Sequence, residues 1–167
     1  MKIVKRKSSM IIRESNPEDL EWILEAIKKE WGSTIIITRG KIYEISKLPC
    51  LIAIFKNRRS GILAYKIDNK ECEIISLNAL IQGKGIGTSL LKALEKIARD
   101  RKCEKLVVIT TNDNVDALKF YQTRGFRIRV IHINKIKEYR EIKPEIPLKG
   151  LYDIEIRDEI ELEKKLR

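Results

Sequence analysis

The chain has 167 residues and a formal charge of +11, from 35 Lys and Arg against 24 Asp and Glu. Hydrophobic residues make up 43% and charged residues 35%, which excludes a disordered chain and predicts one globular domain over residues 1–167. No apolar run reaches the roughly 18 residues a spanning helix needs, and the basic stretch Met1 to Arg13 lacks the apolar core of a leader, so cytoplasmic residence is expected. A basic surface attracts anions, whether nucleic acid, an anionic membrane or a polyphosphate compound.

Cys50, Cys72 and Cys103 are far apart and include no C-x-x-C pair. That spacing argues against a disulfide framework and against a zinc site, so all three are expected as small buried hydrophobes and no metal is expected.

In chain order, Met10 to Arg13 reads as a short strand. Ser15 or Asn16 then offers an N-cap, with Pro17 at the first helical position and Glu18 and Asp19 in the first turn. Leu20, Ile23, Leu24 and Ile27 recur at helical spacing, so Pro17 to Trp31 is an amphipathic helix closed by Gly32. Thr34 to Thr38 is a β-branched strand. Arg39 to Cys50 reads as irregular. Leu51 to Phe55 and Gly61 to Ile67 form a hairpin around Asn57-Arg58-Arg59-Ser60. Cys72 to Leu80 is a further strand. Ile86 to Asp100 is a helix with Leu90, Leu91, Leu94, Ile97 and Ala98 on one face. Leu106 to Ile109 is a continuous apolar strand, covered on both faces. Val115 to Arg124 is a helix that stops at Gly125, and Phe126 to Ile133 is a strand. Residues 135–151 read as an irregular segment with one helical turn at most, a length that points to a functional role such as lining an acceptor site. Ile154, Ile156, Ile160 and Leu162 close the chain as a strand.

The stretch Gln82-Gly83-Lys84-Gly85-Ile86-Gly87-Thr88 stands between a strand and a helix. Glycines there let backbone N–H groups approach a ligand, and the helix start adds partial positive charge, so the stretch reads as an anion site. Lys84 is misplaced for a G-x-x-x-x-G-K-[ST] phosphate loop, and the next strand ends in Thr110 and Thr111 rather than the acid of a dinucleotide site.

A second constellation, Asn114-Val115-Asp116-Ala117-Leu118-Lys119-Phe120-Tyr121-Gln122-Thr123-Arg124-Gly125-Phe126, follows the second buried strand. Together the two stretches resemble the GNAT superfamily of acetyl-CoA-dependent N-acetyltransferases. Its [Arg/Gln]-x-x-Gly-x-[Gly/Ala] motif is met by Gln82, Gly85 and Gly87. Its Asn-x-x-Ala-x-x-x-Tyr-x-x-x-Gly-Phe motif is met by Asn114, Ala117, Tyr121, Gly125 and Phe126. The resemblance spans at least Met10 to Arg129, and later segments look like an uncharacterised subgroup of the same superfamily.

The resemblance implies a mixed α/β, mostly antiparallel central sheet of six to seven strands, flanked by about four helices, with a splayed central strand pair. It implies acetyl-CoA as co-substrate, its pyrophosphate on the backbone of Gly83, Lys84, Gly85, Ile86, Gly87 and Thr88 with Gln82 alongside. Backbone groups near Asn78, Ala79 and Leu80 would hold the pantetheine and polarise the thioester carbonyl. Asn114 would touch the cofactor, and Tyr121 would protonate the leaving thiolate. Glu71 and Glu73, read as sharing a face with Ile75 and Leu77, are candidates for deprotonating the acceptor amine. His132 is the only histidine and is expected to be structural. Trp31, Tyr43 and Tyr139 are candidates to line the same cleft. Two other classes stay open on the sequence: a basic nucleic-acid-binding module, and a GNAT fold that senses CoA without turnover. Monomer and homodimer are equally open.

Overall fold

A computed structural model describes residues 9–167; the basic run Lys2–Lys7 lies outside them. Seven of the described strands form one sheet, two form a separate hairpin, and four α-helices and three short 3-10 turns complete the described elements.

β1 (Met10–Glu14) leads to a short 3-10 turn and α1 (Leu20–Trp31). Asn16 caps the turn, accepting from Glu18 N–H, while the Asp19 carboxylate reaches back to Asn16 N–H. α1 buries Ile23 and Ile27, four residues apart on one face, and Gly32 ends it. β2 (Ile35–Thr38) and β3 (Lys41–Glu44) pair through a two-residue turn at Arg39 and Gly40, both at positive φ. β4 (Cys50–Phe55), β5 (Arg58–Asp68) and β6 (Glu71–Ala79) form an antiparallel meander. α2 (Ile86–Asp100), β7 (Lys105–Thr111), α3 (Val115–Gln122), β8 (Arg127–His132), α4 (Lys135–Ile142) and β9 (Glu159–Lys165) follow.

The sheet order is β1-β4-β5-β6-β7-β9-β8, and β6–β7 is its one parallel pair. Its two faces carry separate cores. On one face Leu90, Leu94 and Ala98 of α2 pack with Leu63, Ile74, Leu106, Leu162 and, from α3, Tyr121. On the other, Ile23 and Ile27 of α1 pack with Tyr43, Ile52, Ile62 and Ile75. Covering both faces removes the continuous run Leu106-Val107-Val108 from water, as its lack of alternation requires.

Two features of β6 position the site. First, it carries an extra residue: Ala64 opposes Ser76 but the next residue, Tyr65, opposes Ile74, so Ile75 bulges. Second, its pairing with β7 runs only from Glu71 opposite Lys105 to Ile74 opposite Val108. Both strands continue beyond that point, β6 to Ala79 and β7 to Thr111, without pairing to each other. The expected splayed pair is therefore present, and it opens at the bulge.

The structure departs from the sequence reading in five places. The β4–β5 turn is not Asn57 to Ser60 but the two residues Lys56 and Asn57, both at positive φ, because Arg58 and Arg59 already pair with Phe55 and Ile54. Arg39 to Cys50 is not irregular; it holds β3 and a 3-10 turn, because the Arg39–Gly40 turn returns the chain along β2. Residues 135–151 are not irregular throughout: α4 occupies Lys135–Ile142, with Ile136 and Tyr139, three residues apart, buried against Ile156. The closing strand begins at Glu159 rather than Ile154, since the chain makes a 3-10 turn at Leu151–Asp153 and only an isolated bridge at Glu155. Finally, Leu77 does not share a face with Glu71 and Glu73. The bulge at Ile75 reverses the alternation, so Leu77 joins the α2-side core while Ser76 and Asn78 turn to the α1 side.

Candidate functional site

The glycine stretch follows β6 directly and enters α2 at the end where β6 has parted from β7. Gly83 and Gly85 both stand at φ +73, a left-handed conformation that other residues adopt at a cost. A Cβ at either position would meet nothing within 4 Å, so the surface there is open. The backbone N–H groups of Gly83 through Thr88 donate to no acceptor among the described residues; the first to do so is Ser89, to Gly85 O at 2.9 Å. No side chain caps α2. Consecutive free N–H groups at a helix start are what an anion needs.

α2 is held close to the sheet by Gly61 of β5. A Cβ there would lie 2.5 Å from Ile86 Cγ2 and 3.0 Å from Leu90 Cδ1. This glycine fixes where the anion loop sits, although no feature of the sequence marks it. On the far side Arg124 clamps α3 to α2. Its Nε and Nη2 donate to Thr88 Oγ1 at 3.1 and 2.8 Å, and its guanidinium stacks 3.7 Å above the Phe120 ring.

Tyr121 is buried between Phe120 and Phe126, edge-on to both. Burial pushes its phenol well above its ordinary value. Asn114 caps α3, its Oδ1 accepting from Ala117 N–H at 3.1 Å, and its amide nitrogen has no partner among the described residues. Asp113 ties this loop to the chain beyond α4, accepting from Leu151 N–H at 3.1 Å.

Of the three positions after the bulge, Asn78 and Ala79 lie in β6 and Leu80 lies just beyond it. The Leu80 N–H is committed to Ser60 O at 2.9 Å. Asn78 Oδ1 accepts from Trp31 Nε1 at 3.3 Å, so Trp31 does reach this face.

Glu71 and Glu73 are brought together by a residue the sequence reading left unassigned. Arg39, at the tip of the β2–β3 hairpin, donates to Glu71 at 2.5 Å and to Glu73 at 3.0 Å, and lies 3.7 Å from Glu161. These carboxylates hold the guanidinium pKa above its ordinary value despite burial. Glu73 Oε1 also accepts from Thr38 at 2.6 Å, and Tyr43 OH stands 3.5 Å from Oε2. Tyr139 donates to Glu159 at 2.5 Å and accepts from Gly40 N–H at 3.0 Å. Trp31, Tyr43 and Tyr139 thus all converge on the α1 side of the sheet. The dipeptide Arg39-Gly40 after a β-branched run was the one sequence signal for this turn. His132 is half-exposed on β8, 3.7 Å from Glu161. Among the described residues no group of His, Cys, Asp and Glu is arranged to hold a metal, and no helix is long and apolar enough to cross a membrane.

Residues 17–126 match the sequence model of the Acetyltransferase (GNAT) family. This chain belongs to the GNAT acetyltransferase family. It is 40% identical over 152 residues to the uncharacterized protein YxbD of Bacillus subtilis, covering 90% of this chain and 94% of that one. Among solved structures, a GNAT acetyltransferase from Elizabethkingia anophelis with acetyl-CoA bound matches with a TM-score of 0.70 at 24% identity, covering 95% of this chain and 99% of that one. The IAA acetyltransferase from Bacillus cereus ATCC 14579 matches with a TM-score of 0.69 at 23% identity, covering 94% and 99%. The GNAT fold therefore extends over the whole described sheet, including β8 and β9, which lie beyond the matched family segment.

Proposed function

We propose that this GNAT protein moves the acetyl group of acetyl-CoA to a primary amine by direct attack within a ternary complex. The observation that carries this reading is the row of unpaired N–H groups from Gly83 to Thr88 at the start of α2, beside the opening between β6 and β7. The donor set fits a pyrophosphate: fixed N–H dipoles, a helix start and open space above two glycines. Acetyl-CoA, when bound, supplies an activated acetyl thioester.

The chain's own residues then divide the work. Gln82 flanks the anion loop, and Asn114 offers its free amide nitrogen from the start of α3. The unpaired edge of β6 from Ile75 onward offers backbone N–H groups to the carbonyl oxygen, where fixed donors lower the barrier as charge develops. We place this contact nearer Ile75 than Leu80, because the opening starts at the bulge and the Leu80 N–H is already bonded. In place of the proton transfer that the resemblance implies, Tyr121 acts on the leaving sulfur as a hydrogen-bond donor. A phenol raised by burial keeps its proton when facing a thiolate, whose conjugate acid has a pKa of about 8.5.

On the α1 side, Glu73 is the carboxylate of β6 nearest the bulge. Its Oε1 is bonded by Thr38 alone, which leaves a lone pair for an N–H of the incoming amine or of a bridging water. Glu71 shares Arg39 with it and opens to a concavity lined by Arg39, Lys41, Glu104 and Lys105.

Two measurements test the reading. Titration calorimetry with acetyl-CoA should give saturable heat; none at millimolar cofactor would remove the anion loop from its role. Thiol release against a panel of amines should show turnover. Binding without release for every amine would make the protein a CoA sensor instead.

A further inference from the structure

Among the described residues, two buried side-chain oxygens have no hydrogen-bond partner: Ser76 Oγ and Glu159 Oε1. Their residues are 5% and 2% exposed. Both lie on the α1 side of the sheet. Ser76 opposes Ala64, which belongs to that core, and Glu159 meets Tyr139 and the Arg39 backbone on the same side. They also flank the same opening. Ser76 stands on β6 just past the last pair with β7, and Glu159 stands on β9 opposite Thr111, where β7 has left β6.

The two orphans differ in what they require. An ionised carboxylate only accepts, so the missing partner of Glu159 is a donor. Its other oxygen takes two neutral donors, Tyr139 OH at 2.5 Å and Arg39 N–H at 3.4 Å. No side-chain nitrogen of Lys, Arg or His among the described residues pairs with Glu159 within 4 Å, whereas Glu71, Glu73, Glu161 and Glu163 on the same face each have a cation. A buried carboxylate with no cation in contact is costly, even with Lys135 acting on it from longer range. Ser76 Oγ, by contrast, satisfies itself with any neutral N–H or lone pair.

We propose that the acceptor is a dication, an amine that reacts beside Ser76 while a second ammonium group, separated by a short apolar spacer, pairs with Glu159. The proposal rests on the N-acetyltransferase reading and names its substrate class. An acceptor with a carboxylate at that distance would meet Glu159 with like charge and is rejected. The ammonium takes the unpartnered Glu159 Oε1, on a carboxylate whose Oε2 is already held by Tyr139 OH and, at 3.4 Å, by Arg39 N–H.

The test uses the full chain and acceptors of one length: a five-carbon α,ω-diamine, the matching amino alcohol and the matching amino acid. With acetyl-CoA, kcat/KM for the diamine should exceed that for the amino alcohol by about 10- to 100-fold, the range for a hydrogen bond to a charged group, and the amino acid should be slowest. Glu159→Gln should bring the diamine down to the level of the amino alcohol, with acetyl-CoA affinity unchanged. Equal rates for diamine and amino alcohol in the unmutated protein overturn the proposal, whether or not the variant folds, as does an undiminished preference in Glu159→Gln. Calorimetry of the diamine into CoA-saturated protein separates this from the underlying reading. Glu159-dependent diamine binding without thiol release from any amine keeps the cation site and removes the acetyltransferase. Thiol release from amines with no diamine preference keeps the acetyltransferase and removes the cation site.

Discussion

Arg39 and Glu73 are 34 residues apart in sequence and 3.0 Å apart in the fold. The guanidinium sits at a hairpin tip with positive φ and balances a carboxylate that is 4% exposed. Removing it leaves Glu73 buried and uncompensated. Arg39→Ala should cost about 3–5 kcal/mol, measured by urea unfolding. Adding Glu73→Gln should recover part of that loss, because the uncompensated charge goes with it; a double variant no more stable than Arg39→Ala would show that the pair is not coupled.

Gly85→Glu should abolish acetyl-CoA binding. It puts bulk and negative charge into the open space above the free N–H groups, at a position with φ +73. Calorimetry reads the loss, and a retained cooperative thermal transition shows that the sheet survives.

Tyr121→Phe should lower turnover about 10-fold or more while leaving acetyl-CoA affinity within about 2-fold, as expected for loss of one charge-assisted hydrogen bond made late in the reaction. The pH dependence follows from the direction of the shift. Burial raises the phenol pKa, so the donor stays protonated as pH climbs through its ordinary value near 10. A turnover profile that falls with a midpoint below 10, and loses that limb in Tyr121→Phe, would contradict the assignment.

The thiols should be inert while the protein is folded. Burial pushes Cys72 up to about 12 and Cys50 up to about 11, and raises Cys103 as well. A raised acid favours the folded state below the unfolded thiol value of about 8.5, and that contribution is lost as pH rises towards the folded values. Alkylation at pH 8 should label no cysteine until urea unfolds the chain, and stability should decline between about pH 9 and 11. Rapid labelling of the native protein at pH 8 would refute the burial.

Asp19 makes the opposite prediction at the acid end. Arg13 at 2.6 Å, Asn16 N–H at 2.8 Å and Arg59 at 3.0 Å hold its carboxyl well below the usual carboxylate range. Its contribution is complete above the unfolded value of about 3.9 and is lost as pH falls below it. Asp19→Asn should therefore destabilise at pH 7, and the gap from the unmutated protein should narrow towards pH 2.

The local elements were largely legible. Asn16-Pro17 and Gly32 bracket α1, the leucines at helical spacing mark α2, and Asn114 stands at the start of α3. α4 was missed because Ile136 and Tyr139 are too few for a periodic signal; their burial depends on Ile156, which comes later in the chain. The anion loop was readable because its chemistry lies in one short stretch. Gly61, which seats α2 over the sheet, was not, since its reason for being glycine is 25 residues away at Ile86.

What the sequence determined by itself is the set of short-range facts: the caps, the amphipathic faces, the glycine turn before α2 and the Asn114–Tyr121 helix that together mark a GNAT chain. Tertiary structure alone decided which side chains share the acceptor face. A bulge at Ile75 leaves no local mark, because one extra residue in a strand shows only against its partner, yet it sends Leu77 to one face and Ser76 and Asn78 to the other. Likewise Glu159 meets Arg39 across 120 residues, and no periodicity encodes a contact made by folding a hairpin tip onto a distant strand.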